Sequence, residues 1–409
     1  VFFIGDGEDG LLDLAQVVRQ GKLAGTTRSE LLQKMARIEG CWVPAFPGPV
    51  RRRVFREFGQ TPPPLKPLVS NLESVHDRVP LEIFRGCIQG CRFCNAGFYY
   101  RPKRERKAED LCRWGREMLQ NTGDEVLGLI SLSTSDFTGL GDLIDRLGND
   151  RVYPEQSLSV PSLRMTDQTM GLLGRLEEMQ KSGLTFAPEA GSQRLRDIIG
   201  KNITESDILQ VIAATRESRY RGIKLYFMIG LPFETTADLD AIPDLVGKIE
   251  DLLRREKLRK ELSISLSGFI PKPFTPFQWA PQIYPAELAE RRRRVCDGLK
   301  RSRAKISWRD EALCKLEAVL ARGDRRIGAL LLAARRHGAR FDSWHEHFSP
   351  EAWEAAFTES GLTTEEFTRS FPIAEKLPWD FVDLRTPRAY FEAEYRRAAV
   401  LAGEDPERL

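Results

Sequence analysis

LEIFRGCIQGCRFCNAGFYY, residues 81–100, sets Cys87, Cys91 and Cys94 on one short loop with the spacing C-x3-C-x2-C. Thiolates this close in sequence can converge on one soft metal centre, because cysteine sulfur selects zinc, copper(I) or iron–sulfur clusters over hard cations. A structural zinc site wants four ligands. No fourth Cys or His accompanies the loop; His76 lies upstream and Cys112 falls on an expected helix beyond it. Three thiolates on a four-iron cluster would leave one iron without a protein ligand, and an open coordination position is what a catalytic metal keeps for substrate. A zinc knuckle and a cluster that only carries electrons are the competing readings of the loop by itself.

With Phe93 before its last cysteine, the loop resembles the signature of the radical S-adenosylmethionine (SAM) superfamily. The resemblance implies a [4Fe-4S] cluster on Cys87, Cys91 and Cys94, SAM bound to the open iron through its amino and carboxylate groups, and reductive cleavage to a 5'-deoxyadenosyl radical. It also implies an electron donor such as flavodoxin or ferredoxin. The protein's share in such chemistry is binding and orientation.

The surroundings of the loop read as alternating strands and helices. Alternation or apolar runs place strands at 81–85, 126–132, 156–160, 184–187, 222–229 and 262–267, with amphipathic helices at 107–120, 140–147, 166–181, 205–219, 235–255 and 285–303. Repeated strand–helix units mean a parallel sheet with right-handed crossovers. The expected fold class is α/β, a partial (β/α)6 barrel of the radical SAM type. Function should then lie at the C-terminal strand ends.

Those ends resemble the superfamily's SAM-contacting stations. After the second strand, Ser133-Thr134-Ser135-Asp136 stands where the family often has a Gly-Gly-Glu turn, and Ser135 and Asp136 can accept from an ammonium. The third strand leads to Ser159, Ser162 and Arg164, candidates for the ribose and, for Arg164, the SAM carboxylate, which a guanidinium fork fits. Glu189, in Pro188-Glu189-Ala190-Gly191-Ser192-Gln193, resembles the glutamate of an E-x-G-S-Q segment that faces SAM. Gly230, Pro232 and Glu234 fall in a G-L-P-x-E turn by which the family's backbone approaches adenine, and the proline-rich run at 268–278 resembles its closing segment. Turn chemistry and helix capping are the plain alternatives for these serines and for Glu189.

The flanks complete the expected organisation: 1–40 an α/β remnant, 41–80 a proline-rich linker, 81–305 the barrel and 306–409 a helical region. The Gly5-Asp6-Gly7-Glu8 turn resembles the end of the cobalamin-binding domain that precedes many radical SAM barrels. The D-x-H-x-x-G segment that ligates cobalt in such domains is not found in this sequence, so the resemblance assigns cobalamin to no residue of it. Segments at 316–326, 341–344 and 377–380 resemble the C-terminal region of a poorly characterised family that joins all three parts. This makes cobalamin-dependent methyl transfer the first expectation, beside cobalamin-independent modification of RNA or protein.

A net charge of +3 over 409 residues gives no global field favouring nucleic acid or an acidic membrane. The basic segment Arg101, Lys103, Arg104, Arg106 and the run 291–294 are expected as solvated helix faces, with an RNA backbone as the other reading. Seven cysteines with three bunched fit a reducing cytoplasm rather than a disulfide framework. No run is apolar enough for a membrane span. Trp308, Phe341, Trp344, Trp353 and Trp379 are expected to mark a buried seam in the C-terminal region. His345-Glu346-His347 is no metal site, because residues two apart on a helix do not face each other.

Overall fold

The computed structural model describes residues 1–72, 77–160, 163–177, 183–217 and 221–409. Its centre is a set of seven strands: β1 Val79–Glu82, β2 Val126–Ile130, β3 Ser157–Ser159, β4 Leu184–Glu189, β5 Gly222–Ile229, β6 Glu261–Gly268 and β7 Lys305–Trp308. They form two parallel sheets, β1–β2–β3 and β4–β5–β6–β7. Among the described residues β3 and β4 do not pair, so the barrel is split as well as partial. β7 is one strand more than the sequence suggests. Its four residues, KISW, are too few to show a period.

Among the described residues the longer helices between the strands are α1 Ala108–Thr122, α2 Leu140–Asn149, α3 Asp167–Glu177, α4 Glu205–Ala214, α5 Thr236–Arg255 and α6 Pro285–Gly298. α1 buries Leu111, Trp114, Gly115, Met118 and Leu119, the stripe that a 3.6-residue repeat puts on one face. α5 begins with a reciprocal cap between Thr235 and Asp238. The strands answer with period two. Ile223, Leu225, Phe227 and Ile229 of β5 are buried in the main core, while Lys224, Tyr226 and Met228 register with Ser263, Ser265 and Ser267 of β6 on the other face. A parallel sheet covered on both faces would read as continuous apolar runs. The alternation leaves a polar face for the open side of the barrel.

The flanks hold the main corrections. Phe2–Phe3 pairs antiparallel with Cys41–Trp42, and two helices, Gly10–Leu23 and Arg28–Met35, cover it. The second helix is capped by Thr27, in a reciprocal cap with Glu30. The expected linker is extended but pinned: Val50–Arg51 pairs parallel with Val382–Asp383, and Phe58 is fully buried. Its prolines stiffen the chain without freeing it. Gly5 touches this segment, with φ +125 and a would-be Cβ 2.2 Å from the Arg53 carbonyl oxygen, so only glycine fits.

The basic segment is not a solvated face. Arg106 is 7% exposed, lies over the Phe58 ring and donates to the carbonyls of Phe58, Glu82 and Thr61. Arg104 pairs with Asp6. Arg104 thus ties the N-terminal turn to the barrel, and Arg106 ties the 58–61 segment to it. In the second run, Arg291 and Arg292 are half-buried and pair with Glu234 and Glu311, while Arg293 and Arg294 lie on a solvated face as expected.

The C-terminal aromatic seam is divided. Trp353 and Trp379 are buried, but Trp308, Phe341 and Trp344 are 51%, 71% and 59% exposed. Two of the helices after the barrel are α7 Glu311–Arg322 and α8 Arg388–Ala402, and α8 packs behind the site. Phe391 and Tyr395 of α8 join Phe98, Leu195, Phe277 and Trp279 in a second core directly behind the cysteine loop. His76 lies outside the described residues. No described helix is long and apolar enough to cross a membrane.

Candidate active site

The cysteine loop leaves the C-terminal end of β1, closed at its base by Phe84–Arg85 pairing antiparallel with Arg104–Glu105. Gly86 makes the turn at φ +94, where a Cβ would lie 2.6 Å from the Pro102 carbonyl oxygen. Cys87 Sγ accepts from the Gln89 N–H at 3.4 Å. Cys94 caps the short helix Asn95–Tyr99, its Sγ accepting from the Gly97 N–H at 3.4 Å.

All three cysteines line one cavity of about 240 Å³ together with Ser133, Arg164, Met165, Glu189 and Lys201. Burial pushes the three thiols up, Cys94 to about 11, because a desolvated site favours the neutral form. Such thiols keep their protons until a metal displaces them. Among the described residues no three His, Cys, Asp or Glu side chains converge as the shell of a single ion. Three thiols on one cavity can supply the ligands of a polynuclear cluster, one per iron.

Of the other expected site residues, Arg164 and Glu189 reach this cavity. Glu189 has φ 69, a conformation that a non-glycine residue keeps only where its surroundings impose it. Phe233 and Phe274, in the turns after β5 and β6, share it at φ 63 and 59, as do Lys257, Phe341 and Arg385 away from the site. The Glu189 carboxylate is 3.3 Å from Lys201 Nζ. Burial nevertheless pushes its carboxyl up, and the lysine only partly offsets this.

The remaining expectations are redistributed. Ser135 Oγ is 3.1 Å from Thr169 Oγ1 and accepts from the Arg164 N–H at 2.9 Å, so it holds the turn. Asp136 accepts twice from Gln89 Nε2, at 3.1 and 3.0 Å, and so ties down the cysteine loop. Ser159 accepts from Arg78 Nη1 at 2.7 Å. Ser162 lies outside the described residues. Gly230, Pro232 and Glu234 are not among the residues lining the cavity. The Glu234 carboxylate accepts from the Gly230 N–H at 2.9 Å and from Arg291 Nη1 at 2.7 Å, which makes it a brace for its own turn.

Three participants escaped the sequence reading. Lys201 follows the half-buried helix Gln193–Ile198, with nothing local to mark it. Gln89 looks like loop filler. Ser133 was one hydroxyl in a row of polar residues, yet it alone of that row lines the cavity, with its Oγ buried and unpartnered among the described residues.

Comparison with known proteins supplies the family. The model of the Radical SAM superfamily matches residues 81–246. An uncharacterized protein of Methanocaldococcus jannaschii is 32% identical over 254 residues, 61% of this chain and 53% of that protein. The chain thus spans about half the length of the curated relative it matches. Solved structures with similar folds include the radical SAM methyltransferase TsrM from Kitasatospora setae, with 14% identity and a TM-score of 0.45 over 68% of this chain and 54% of that one. The oxidase HemN from Escherichia coli gives 14% identity and a TM-score of 0.39 over 55% of this chain and 52% of that one. At these scores the structural likenesses add no argument to the family match. The cysteine loop and the strands that surround it, residues 81–246, are a domain of the Radical SAM superfamily.

Proposed function

We propose that this domain cleaves SAM reductively, with Cys87, Cys91 and Cys94 holding a [4Fe-4S] cluster and Ser133, Arg164, Glu189 and Lys201 receiving SAM. The observation that carries the reading is the meeting of three thiols, two cations, one carboxylate and one bare hydroxyl in a single cavity. When bound, the cluster supplies the electron that breaks a carbon–sulfur bond of the sulfonium, drawn from a flavodoxin- or ferredoxin-type donor. The chain's own residues orient the molecule that is cut. Glu189 offers a carboxylate to the SAM ammonium or sulfonium, and Arg164 and Lys201 offer cations to its carboxylate. Ser133 supplies a hydroxyl that is donor or acceptor as required. Asp136 and Gln89 hold the cysteine loop in register with them.

The test is anaerobic reconstitution with iron and sulfide, then electron paramagnetic resonance of the reduced protein with and without SAM, beside an assay for 5'-deoxyadenosine. The expected result is a signal that SAM shifts and 5'-deoxyadenosine formation, both abolished in Cys91→Ala. A cluster whose signal ignores SAM would return the domain to electron transfer.

The finer reading is radical methyl transfer with cobalamin as the methyl carrier. It is favoured by a second cavity of about 520 Å³, lined by the Gly5-Asp6-Gly7-Glu8 turn and by Glu82 and Ile130, which shares Leu132 with the cysteine cavity. A second reactant would have to approach from such a place. No residue of this chain is assigned to cobalt. Visible spectra of hydroxocobalamin titrated with the full-length protein decide the matter: an unperturbed spectrum sends the reading to cobalamin-independent modification of RNA or protein.

A further inference from the structure

We infer that Glu394, on α8, is a positioning residue for the cluster, acting through Arg92. The inference rests on the cluster reading above and extends it to a part of the chain outside the family match. Arg92 stands between Cys91 and Phe93, and its side chain is 5% exposed. Its Nη1 donates to the carbonyls of Asp197 and Ile198 at 2.9 and 2.7 Å, while Nε and Nη2 reach Glu394 Oε2 at 3.0 and 2.8 Å. Its backbone is fixed as well: the N–H donates to Ile199 and the carbonyl accepts from Phe277. No other carboxylate is paired with Arg92 among the described residues. Beside it, Phe98 packs edge-on against Phe391 of the same helix at 5.3 Å.

A guanidinium taken out of water needs its counter-charge, and removing one partner of a buried pair leaves the other uncompensated. Here the stranded cation would be one residue from Cys91. The relief open to it is to swing towards solvent, and the loop that carries the three thiols would move with it. α8 is therefore a buttress that sets where the cluster sits.

The experiment compares reconstituted wild type, Glu394→Gln, Glu394→Asp and Glu392→Gln, following iron loss to a chelator and the resonance spectrum of the reduced protein. Glu392 lies on the same helix but pairs with Arg388, so it controls for helix damage. Expected is iron loss about 10–100-fold faster in Glu394→Gln, the range for lost support of metal ligands, with a changed spectrum. Glu394→Asp should recover most of the difference and Glu392→Gln should match wild type. A wild-type rate and spectrum in Glu394→Gln overturns the inference. If that variant fails to fold, the double variant Arg92→Met, Glu394→Met buries no charge and still lacks the tie; fast iron loss supports the inference and a wild-type rate overturns it. A wild type that assembles no cluster overturns the cluster reading itself, and the inference with it.

Discussion

Glu189 at the end of β4 and Glu234 just beyond β5 occupy equivalent places in sequence, each a carboxylate in a glycine- and proline-bearing turn after a parallel strand. Burial pushes both carboxyls up. What separates them is the direction they face and the partner they find. Glu234 is turned away from the cavity, its side chain 1% exposed, and is taken up by Arg291 and the Gly230 N–H. Glu189 looks into the cavity, and the one cation paired with it among the described residues, Lys201, is 3.3 Å off and lines the same space. A satisfied buried carboxylate holds a turn, whereas an under-satisfied one beside an open cavity is free to take a ligand.

The largest effect should come from the satisfied one. Glu234→Ala strands Arg291 beside an orphaned Gly230 N–H, and we expect a stability loss of about 3 kcal/mol, near the low end for a broken buried pair because Arg291 keeps Glu287. Thermal or denaturant unfolding measures it. The folded fraction should bind SAM with wild-type affinity, and a loss of affinity without a loss of stability would erase the distinction between the two glutamates.

Glu189→Gln should do the reverse. We expect folding close to wild type and SAM binding about 10–100-fold weaker, the value of one hydrogen bond to a charged group. The pH dependence sharpens this. A carboxyl raised by burial binds its proton more tightly when folded, so its contribution to the stability of the unliganded protein is present below the ordinary 4.5 and is lost as pH rises through the raised value. A ligand cation needs the carboxylate, so SAM affinity measured without reductant should increase over that same rise. The increase should vanish in Glu189→Gln and persist in Glu234→Gln. A flat profile in the wild type would mean that Glu189 does not meet the positive end of SAM.

The same contrast marks how far the sequence could be read. The cysteine loop, six of the seven strands and the helix stripes were legible because their signals are local: a spacing, a period of two, a period of 3.6. Glu189 and Glu234 could not be told apart, because what decides between them is Lys201 for one and Arg291, far along the chain, for the other. The misread linker has the same cause. Prolines predict extension correctly, but Phe58 is covered by Arg85 and Arg106, and Val50–Arg51 pairs with Val382–Asp383, partners that are not local in sequence. Trp308, Phe341 and Trp344 show the opposite error, apolar bulk taken as core but left more than half exposed. The Arg92–Glu394 pair spans 302 positions and leaves no local trace.

Ser133 gives the smallest effect and the finest version of the comparison. It is 4% exposed with an unpartnered Oγ, while Ser135, two residues on, is 1% exposed and bonded to Arg164 and Thr169. A buried hydroxyl without a partner costs the fold about 1–3 kcal/mol, so replacing it by a methyl group should leave the unliganded protein as stable or slightly more so. A hydroxyl kept for a ligand should then show its value on binding: Ser133→Ala should weaken SAM by about 2–10-fold, the range for a single neutral hydrogen bond. Ser135→Ala should lower the melting temperature, because it removes the acceptor for the Arg164 N–H. Melting curves with and without SAM on the two variants read both effects at once. If Ser133→Ala melts lower and binds SAM normally, its hydroxyl belongs to the fold, and the cavity's recognition of SAM reduces to the charges of Glu189, Arg164 and Lys201.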